Sequence, residues 1–273
     1  MKEICQGFHS KYSKKDTLDI LLNRMQDKRI NALDLDGTLH KGINKFKYRG
    51  ISNVDLAFAV ALKLFYKRPN KFFGFCRGCL RTRSFEKKLD GSNINKEKLF
   101  IEYFFENALM GLPYTLVREA SKNLDKLAYP GAKESVQLLS GVSEFTQIIT
   151  KSYFISLEPY LKWFRGKGLN IGCFSNHFWV KDGEIVGLEA YVTDKNDKYN
   201  LICNQYLPFD SSFVFGDTDD DAVMKDAFNK KGIKSYMFAV DPKQGLSSNL
   251  MQKADFLLEN WLGFYSLLSQ NLY

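Results

Sequence analysis

The sequence has few histidines and no long uninterrupted run of apolar residues. Three histidines occur among 273 residues: His9, His40 and His177. They lie far apart in the sequence, so we expect any catalysis to depend on carboxylates, hydroxyls or lysines. The longest apolar stretch, 54–65, is interrupted by an aspartate and a lysine. It is shorter than the ~20 apolar residues of a membrane-spanning helix, so no span is predicted.

Cysteine is also scarce and is present in an odd number, five residues. The first ten residues mix charged and polar side chains with no apolar segment behind them, which does not resemble a secretory signal. An odd number of cysteines without a signal favours reduced thiols and a cytoplasmic location. Cys76 and Cys79 form a CxxC without a second pair, and we expect plain thiols there rather than a zinc site.

The composition is that of a globular protein with a basic excess. Hydrophobic residues make up 45% and charged residues 26%, and the formal net charge is +8. A basic balance points to an anionic partner: nucleic acid, anionic lipid or a phosphorylated small molecule. Most of the excess lies in 68–88, where seven Lys and Arg accompany one Glu. Arg77, Arg81 or Arg83 could grip a phosphorylated substrate there, or the segment could be a solvated basic face.

Short apolar segments alternate with helical ones along most of the chain. This alternation predicts an α/β fold with a doubly wound, Rossmann-like parallel sheet. Asp182-Gly183 between two β-prone runs predicts a hairpin across 179–191. The predicted strands are 30–35, 146–150, 170–174, 212–215, 235–240 and 254–258, and the predicted core helices are 14–28, 132–139, 157–167, 222–231 and 246–253.

Between about residues 42 and 127 no comparable strand pattern occurs, and the sequence is helical and rich in Leu, Phe and Lys. We interpret this segment as a helical cap domain inserted after the first strand. The predicted organisation is therefore an N-terminal helix packed on the core in 1–28, a catalytic core in 29–42 and 129–273, and a cap in 43–128.

Acidic residues follow two of the predicted strands. Asp34 and Asp36 end the first strand, and Asp217 with Asp219, Asp220 and Asp221 follows another. Ligands bind at the carboxyl ends of the strands in an open α/β sheet. Clustered carboxylates repel one another unless they are solvated or bind a cation, and Mg²⁺ prefers oxygen ligands. Turn formation and helix capping are the alternative roles for these acids.

Taken together, these segments resemble the haloacid dehalogenase superfamily of phosphohydrolases. Its first motif, Asp-x-Asp-x-Thr, is similar to the segment that begins at Asp34, and its second motif, a Ser or Thr ending a strand, is matched by Thr150. Lys198 is our choice for the lysine of the third motif, and Lys195 is the alternative. Gly216-Asp217 followed by Asp221, with Asp220 adjacent, resembles the fourth motif.

The lead-in Tyr129-Pro130-Gly131 and the Asp-Gly hairpin before the lysine are similar to the phosphoserine-phosphatase-like branch of that superfamily. That branch often has Gly-Gly after the second motif, where this chain has Lys151-Ser152-Tyr153. The departure puts phosphoserine in doubt as the substrate without weakening the expectation of phosphatase chemistry.

The resemblance implies a Mg²⁺-dependent phosphatase with Asp34 as nucleophile and Asp36 as general acid and base. The ion would be held by Asp34, the backbone carbonyl of Asp36 and Asp217, with Asp220 or Asp221 in addition. Thr150 and Lys198 would bind the phosphate. His40, just after the first motif, could contact substrate or pack the loop.

Three functions remain open at this point. The first is hydrolysis of a small phosphorylated metabolite, and the second is dephosphorylation of a phosphoprotein, such as one carrying phosphotyrosine, with the basic cap as docking surface. The third is a non-catalytic module that binds RNA or lipid through 68–88. The intact motif residues argue against the third, so nucleic acid is not expected as a partner; the sequence does not define the oligomeric state.

Overall fold

A computed structural model describes residues 1–22, 28–41, 51–88, 96–241 and 245–272. Within these ranges nine strands form a single sheet, in the order β1-β2-β9-β8-β7-β3-β4-β5-β6. The strands are β1 Lys2–Cys5, β2 Phe8–Ser10, β3 Arg29–Leu33, β4 Phe145–Tyr153, β5 Gly172–Lys181, β6 Glu184–Glu189, β7 Ser211–Gly216, β8 Lys234–Val240 and β9 Phe256–Leu258.

The same residues form eleven α-helices, and helices cover both faces of the sheet. The helices are α1 Lys14–Leu22, α2 Ile51–Lys67, α3 Pro69–Lys88, α4 Lys96–Phe104, α5 Tyr114–Ser121, α6 Ala132–Gly141, α7 Phe154–Gly166, α8 Lys195–Asn204, α9 Asp219–Lys230, α10 Ser248–Lys253 and α11 Trp261–Leu272. Helices α1, α6, α7 and α11 pack on one face, and α8, α9 and α10 pack on the other. Because β3 is buried on both faces, Leu33 packs in the apolar cluster with α1, α6, α7 and α11, and Ile30 packs in the cluster with α8, α9 and α10.

The central strands from β9 to β5 are parallel, as predicted from their short apolar runs. All six predicted strands are present, with shifted ends. The strand predicted at 170–174 and the first half of the predicted hairpin are one continuous strand, β5, which pairs antiparallel with β6. Asp182 and Gly183 form the turn with φ of +51° and +81°, the left-handed backbone that an Asp-Gly hairpin favours.

The N-terminal segment was predicted as a helix packed on the core, and this description was incomplete. Helix α1 begins at Lys14 as expected, and the predicted end of this helix near residue 28 falls partly outside the described residues. Ahead of it, β1 and β2 extend the sheet edge, with β2 antiparallel to β9. Phe8 of β2 packs its ring against Phe256 and Phe264, with centroids 5.7 and 4.9 Å away.

The described residues between β3 and α6 are mostly helical, as predicted for a cap. It contains α2 to α5, a π-helical turn at Phe105–Leu109 and a 3₁₀ turn at Leu124–Leu127. The cap has its own apolar cluster, which also includes Tyr153 of β4 and Ile185 of β6. The predicted cap start at 43 lies outside the described residues. Just before it, Lys41 N–H donates to the Leu127 carbonyl, and Tyr129 N–H donates to the Leu39 carbonyl. The segment that enters the cap and the segment that leaves it therefore lie side by side.

Candidate active site

The first acidic pair follows β3 at the carboxyl edge of the sheet. β3 lies between β4 and β7, and Asp34 N–H donates to the carbonyl of Phe215 in β7 at 3.0 Å. Gly37 turns the chain with φ +74°, and a Cβ there would lie 1.9 Å from Asp217 Oδ2. Glycine at this position therefore allows both the left-handed backbone and the close approach of the second acidic segment.

Three carboxylates converge on this edge around one buried lysine. Asp34, Asp217 and Asp221 each offer an oxygen, and these oxygens all lie within 4.8 Å of one another. Lys198, fully buried on α8, places Nζ 2.8 Å from Asp34 Oδ1 and 2.6 Å from Asp221 Oδ1. The cluster thus brings together four residues that the sequence assigned to three separate motifs.

Asp221 is held by the turn between β7 and α9. Its Oδ2 accepts from the N–H groups of Asp217 and Thr218 at 3.1 and 3.0 Å, and from the Thr218 hydroxyl at 2.8 Å. An acid in the first turn of a helix bonding back to the preceding backbone satisfies donors that the helix leaves unpaired. With one oxygen fixed in this way, the other is directed to Lys198.

The electrostatics of the cluster show an excess of negative charge away from water. The pKa of Asp34 is raised to about 7: burial is the largest cause, the charge of Lys198 lowers the pKa, and the charges of Asp221 and Asp36 raise it. Burial, together with Asp221 and Asp34, also raises the pKa of Asp217 well above its ordinary value. For Lys198, burial lowers the pKa, but the two neighbouring carboxylates outweigh it and the pKa is raised.

The cluster also offers the kind of ligand atoms that a hard divalent cation prefers. The candidate ligand atoms are all oxygens, and among the described residues the buried Asp217 Oδ1 has no hydrogen-bond partner. An unpartnered buried carboxylate oxygen is costly unless a proton or a cation compensates it. These residues therefore fit the Mg²⁺ that the resemblance implies.

Asp36 lies between the core and the cap. Its Oδ1 accepts from the backbone N–H of Ser52 at 2.8 Å, and its Oδ2 accepts from the hydroxyl of Ser152 at 2.6 Å. The two serine hydroxyls are bonded to each other at 2.7 Å. The first turn of α2 and the end of β4 therefore hold this carboxylate from both sides.

The remaining motif residues are arranged as follows. Thr150 is buried in β4, and its hydroxyl accepts from Ser152 N–H at 3.2 Å. Asp220 is not part of the three-carboxylate cluster and forms a 2.8 Å ion pair with Lys151. Lys195 is exposed at the start of α8. The geometry favours Lys198 over Lys195 and Asp221 over Asp220 as members of the cluster.

Four candidate substrate residues lie elsewhere. His40 is fully buried, with Nε2 2.8 Å from Asp55 Oδ2 and Nδ1 2.6 Å from the Tyr160 hydroxyl. This position does not fit a substrate contact and favours the loop-packing alternative. Arg77, Arg81 and Arg83 are exposed on α3, so their predicted role in substrate binding stays a prediction.

Sequence reasoning did not identify Ser52 and Ser152 as neighbours of Asp36. For Ser152 a signal existed, because it lies two positions after Thr150 on the same strand and shares its face. Ser52 had no such signal, since its link to Asp36 is a backbone N–H that any residue could provide.

No protein-family model matches the sequence, and no curated protein matches it. Among solved structures, cytosolic 5′-nucleotidase IIIB bound to cytidine is similar over 100% of this chain and 95% of that chain, with a TM-score of 0.63 and 13% identity. A probable phosphoserine phosphatase from Vibrio cholerae has a TM-score of 0.55 and 12% identity, over 95% of this chain and 74% of that one. Phosphoserine phosphatase from T. onnurineus has a TM-score of 0.50 and 16% identity, over 88% and 94%.

At these identities the similarity shows the fold, which agrees with the architecture predicted from the sequence: a mostly parallel sheet covered by helices and carrying an inserted helical cap. This is the architecture that the resemblance to the haloacid dehalogenase superfamily implies. No helix in the described part of the chain is both long and apolar enough to span a bilayer, and all five cysteines are free thiols.

Proposed function

We propose that this protein is a Mg²⁺-dependent phosphomonoester hydrolase acting through an aspartyl-phosphate on Asp34. The observation that carries the proposal is the buried cluster of Asp34, Asp217 and Asp221 around Lys198 at the carboxyl edge of the sheet. A site of this kind has the charge balance to hold a cation and a phosphate next to a carboxylate nucleophile. The similar fold of a cytosolic 5′-nucleotidase, a phosphoserine phosphatase and a probable phosphoserine phosphatase supports the same interpretation.

In the first step, an Asp34 oxygen attacks phosphorus and the ester oxygen leaves with a proton from Asp36. In the second step, Asp36 takes a proton from water, whose oxygen attacks the acyl-phosphate phosphorus and restores the Asp34 carboxylate. Lys198 and Thr150 bind the non-bridging oxygens, and Lys198 keeps Asp34 oriented. Asp34, the Asp36 carbonyl, Asp217 and Asp221 would hold Mg²⁺, which would supply positive charge that offsets the repulsion between nucleophile and phosphate.

The substrate class we propose is a small phosphorylated metabolite. Asp36 lies between Ser52 of the cap and Ser152 of the core. A site that the cap covers in this way suits a small molecule better than a folded phosphoprotein. A nucleotidase and phosphoserine phosphatases share the fold, so nucleoside monophosphates and phosphoserine come first in a substrate panel. Sugar phosphates and phosphotyrosine peptides complete it.

The test is phosphate release from p-nitrophenyl phosphate with Mg²⁺ and with a chelator. We expect activity only with Mg²⁺ and a loss of roughly 1,000-fold or more in Asp34→Asn, because the nucleophile is removed. Asp182→Asn in the exposed hairpin turn is the matched control and should keep full activity. A rapidly quenched reaction should contain protein-bound phosphate that hydroxylamine releases, as expected of an acyl-phosphate. Full activity in Asp34→Asn, or the same rate in the chelator, would contradict the proposal.

A further inference from the structure

The first two helices of the cap, α2 and α3, form a hairpin whose outer face is apolar and cationic. Helix α2 is apolar on opposite sides. Leu56, Val60 and Leu64 are buried in the cap cluster, whereas Phe58 and Phe65 are 54% and 55% exposed. A helix that is apolar all round is normally enclosed by other parts of the protein. The outer side of α2 is apolar but exposed to solvent.

The exposed apolar side chains are contiguous rather than scattered. Where α2 meets α3, four rings form a cluster that we call the aromatic tip: Phe65, Tyr66, Phe72 and Phe73. Adjacent centroids lie 5.4 Å apart in the pairs Phe65–Tyr66, Phe65–Phe72 and Phe72–Phe73. Tyr66 and Phe73 are 79% and 75% exposed. Exposed apolar residues that occur singly need no explanation, but a contiguous patch marks an interaction surface.

Unpaired cations lie beside this patch. Arg77 and Arg81 follow Phe73 at four and eight positions, on the same side of α3, and Arg68 lies in the link between the helices. In the described part of the chain, none of these three guanidinium groups has a hydrogen-bond or ion-pair partner. The hairpin segment 51–88 contains nine Lys and Arg against two acids, and one of those acids, Asp55, is buried against His40.

We propose that the cap hairpin docks on the surface of a membrane that contains anionic lipids. Aromatic and aliphatic side chains at the tip would enter the headgroup region while the arginines pair with lipid phosphates. A second copy of the chain fits less well, because a two-fold contact through this face would bring the same unpaired arginines together. RNA would match the arginines and rings, but not the exposed aliphatic Val54, Leu62 and Leu80.

Sedimentation with lipid vesicles tests the proposal. The probes are phosphatidylcholine vesicles with and without phosphatidylserine. The full chain should bind the anionic vesicles, and binding should weaken as salt is raised. Phe65→Ser with Phe73→Ser should reduce partitioning on the order of tenfold or more, because each substitution removes the free energy gained when an aromatic ring moves from water into the membrane. Arg77→Glu with Arg81→Glu should reduce it on the order of tenfold as well.

Matched controls separate the hairpin from general effects of charge and apolar surface. Lys162→Glu with Arg165→Glu makes the same charge change on exposed positions of α7, and Tyr206→Ser with Leu262→Ser removes exposed apolar groups elsewhere. Both control variants should bind as the unmodified chain does, and circular dichroism should show all four folded. The readout is binding, so it is independent of phosphatase activity.

Three results would overturn the inference. The first is equal binding by hairpin and control variants, and the second is no binding to anionic vesicles. The third is a stable dimer, seen by sedimentation velocity without lipid, that Phe65→Ser with Phe73→Ser dissociates. If the second result occurs together with salt-sensitive RNA binding, the hairpin is an RNA-binding surface instead.

Discussion

Replacing Lys198 by methionine should destabilise the protein strongly. The side chain is fully buried and its ammonium forms two short ion pairs, with Asp34 and Asp221. Methionine fills a similar volume but leaves both carboxylates without their counter-charge. Removing one partner of a buried ion pair costs ~3–5 kcal/mol, because the remaining charge is left uncompensated. We therefore expect a loss of about 4 kcal/mol in the free energy of unfolding, or a fall of about 10 °C in Tm.

The assay is urea unfolding in a chelator, so that metal binding does not contribute. Lys195→Met is the matched control, because Lys195 is exposed three positions earlier on the same helix; it should change stability by less than ~0.5 kcal/mol. Adding Asp34→Asn to Lys198→Met should restore at least ~1 kcal/mol, since it removes one stranded charge. In phosphate release, Lys198→Met should lose roughly 100-fold in rate and Lys195→Met should lose little.

Equal urea midpoints for Lys198→Met and Lys195→Met would refute the claim that this buried cation holds the cluster together. Failure of Asp34→Asn to rescue the variant would refute a narrower point, namely that a stranded carboxylate rather than lost packing causes the damage. The two outcomes are distinguishable because the first compares single variants and the second compares a single with a double variant.

Three other substitutions have clear expected outcomes. Asp217→Asn should raise the free energy of unfolding in a chelator by ~1–3 kcal/mol, because it removes a desolvated like charge. The variant should also lose the increase in Tm that Mg²⁺ gives the unmodified protein. A Tm equal to that of the unmodified protein both with and without Mg²⁺ would contradict the assignment. Gly37→Ala should lower the free energy of unfolding in urea by more than ~2 kcal/mol, because the new Cβ clashes with Asp217. Gly111 also has a positive φ but has open space around the Cβ position. Gly111→Ala should therefore cost only ~1 kcal/mol. Ser152→Ala should lower kcat on the order of tenfold without unfolding the protein, since it removes one donor to Asp36; a wild-type kcat would show that this hydroxyl does not position the acid.

The core sheet was predictable because its local and long-range signals agree. β3 and β7 are short apolar runs that end in acids, and parallel neighbours place such ends together. Asp34 and Asp217 therefore meet although they are far apart in the sequence. Lys198 was harder to choose, because the sequence alone does not distinguish the buried from the exposed position on α8; the choice between it and Lys195 depended on the resemblance.

The N-terminal strands show where local patterns fail. β1 and β2 have four and three residues, which is too short for an alternating pattern to stand out. The strand conformation of β1 depends on pairing with β2. That of β2 depends on pairing with β9, at the other end of the chain, and on the stacking of Phe8 within the aromatic core. Tertiary contacts of this kind decide the conformation of short segments that have no strong preference of their own.

The surroundings of Asp36 show the same limit at the site itself. The motif identifies this acid, but its two hydrogen-bond donors come from Ser52 in the cap and Ser152 in the core, 100 positions apart. Neither residue type is distinctive, and one of the two donors is a backbone N–H. Their position depends on how α2 meets β4, and His40 adds to that contact by bonding Asp55 of α2 and Tyr160 of α7. The orientation of the proposed acid is therefore a property of the cap–core contact, because the packing of two distant segments provides it.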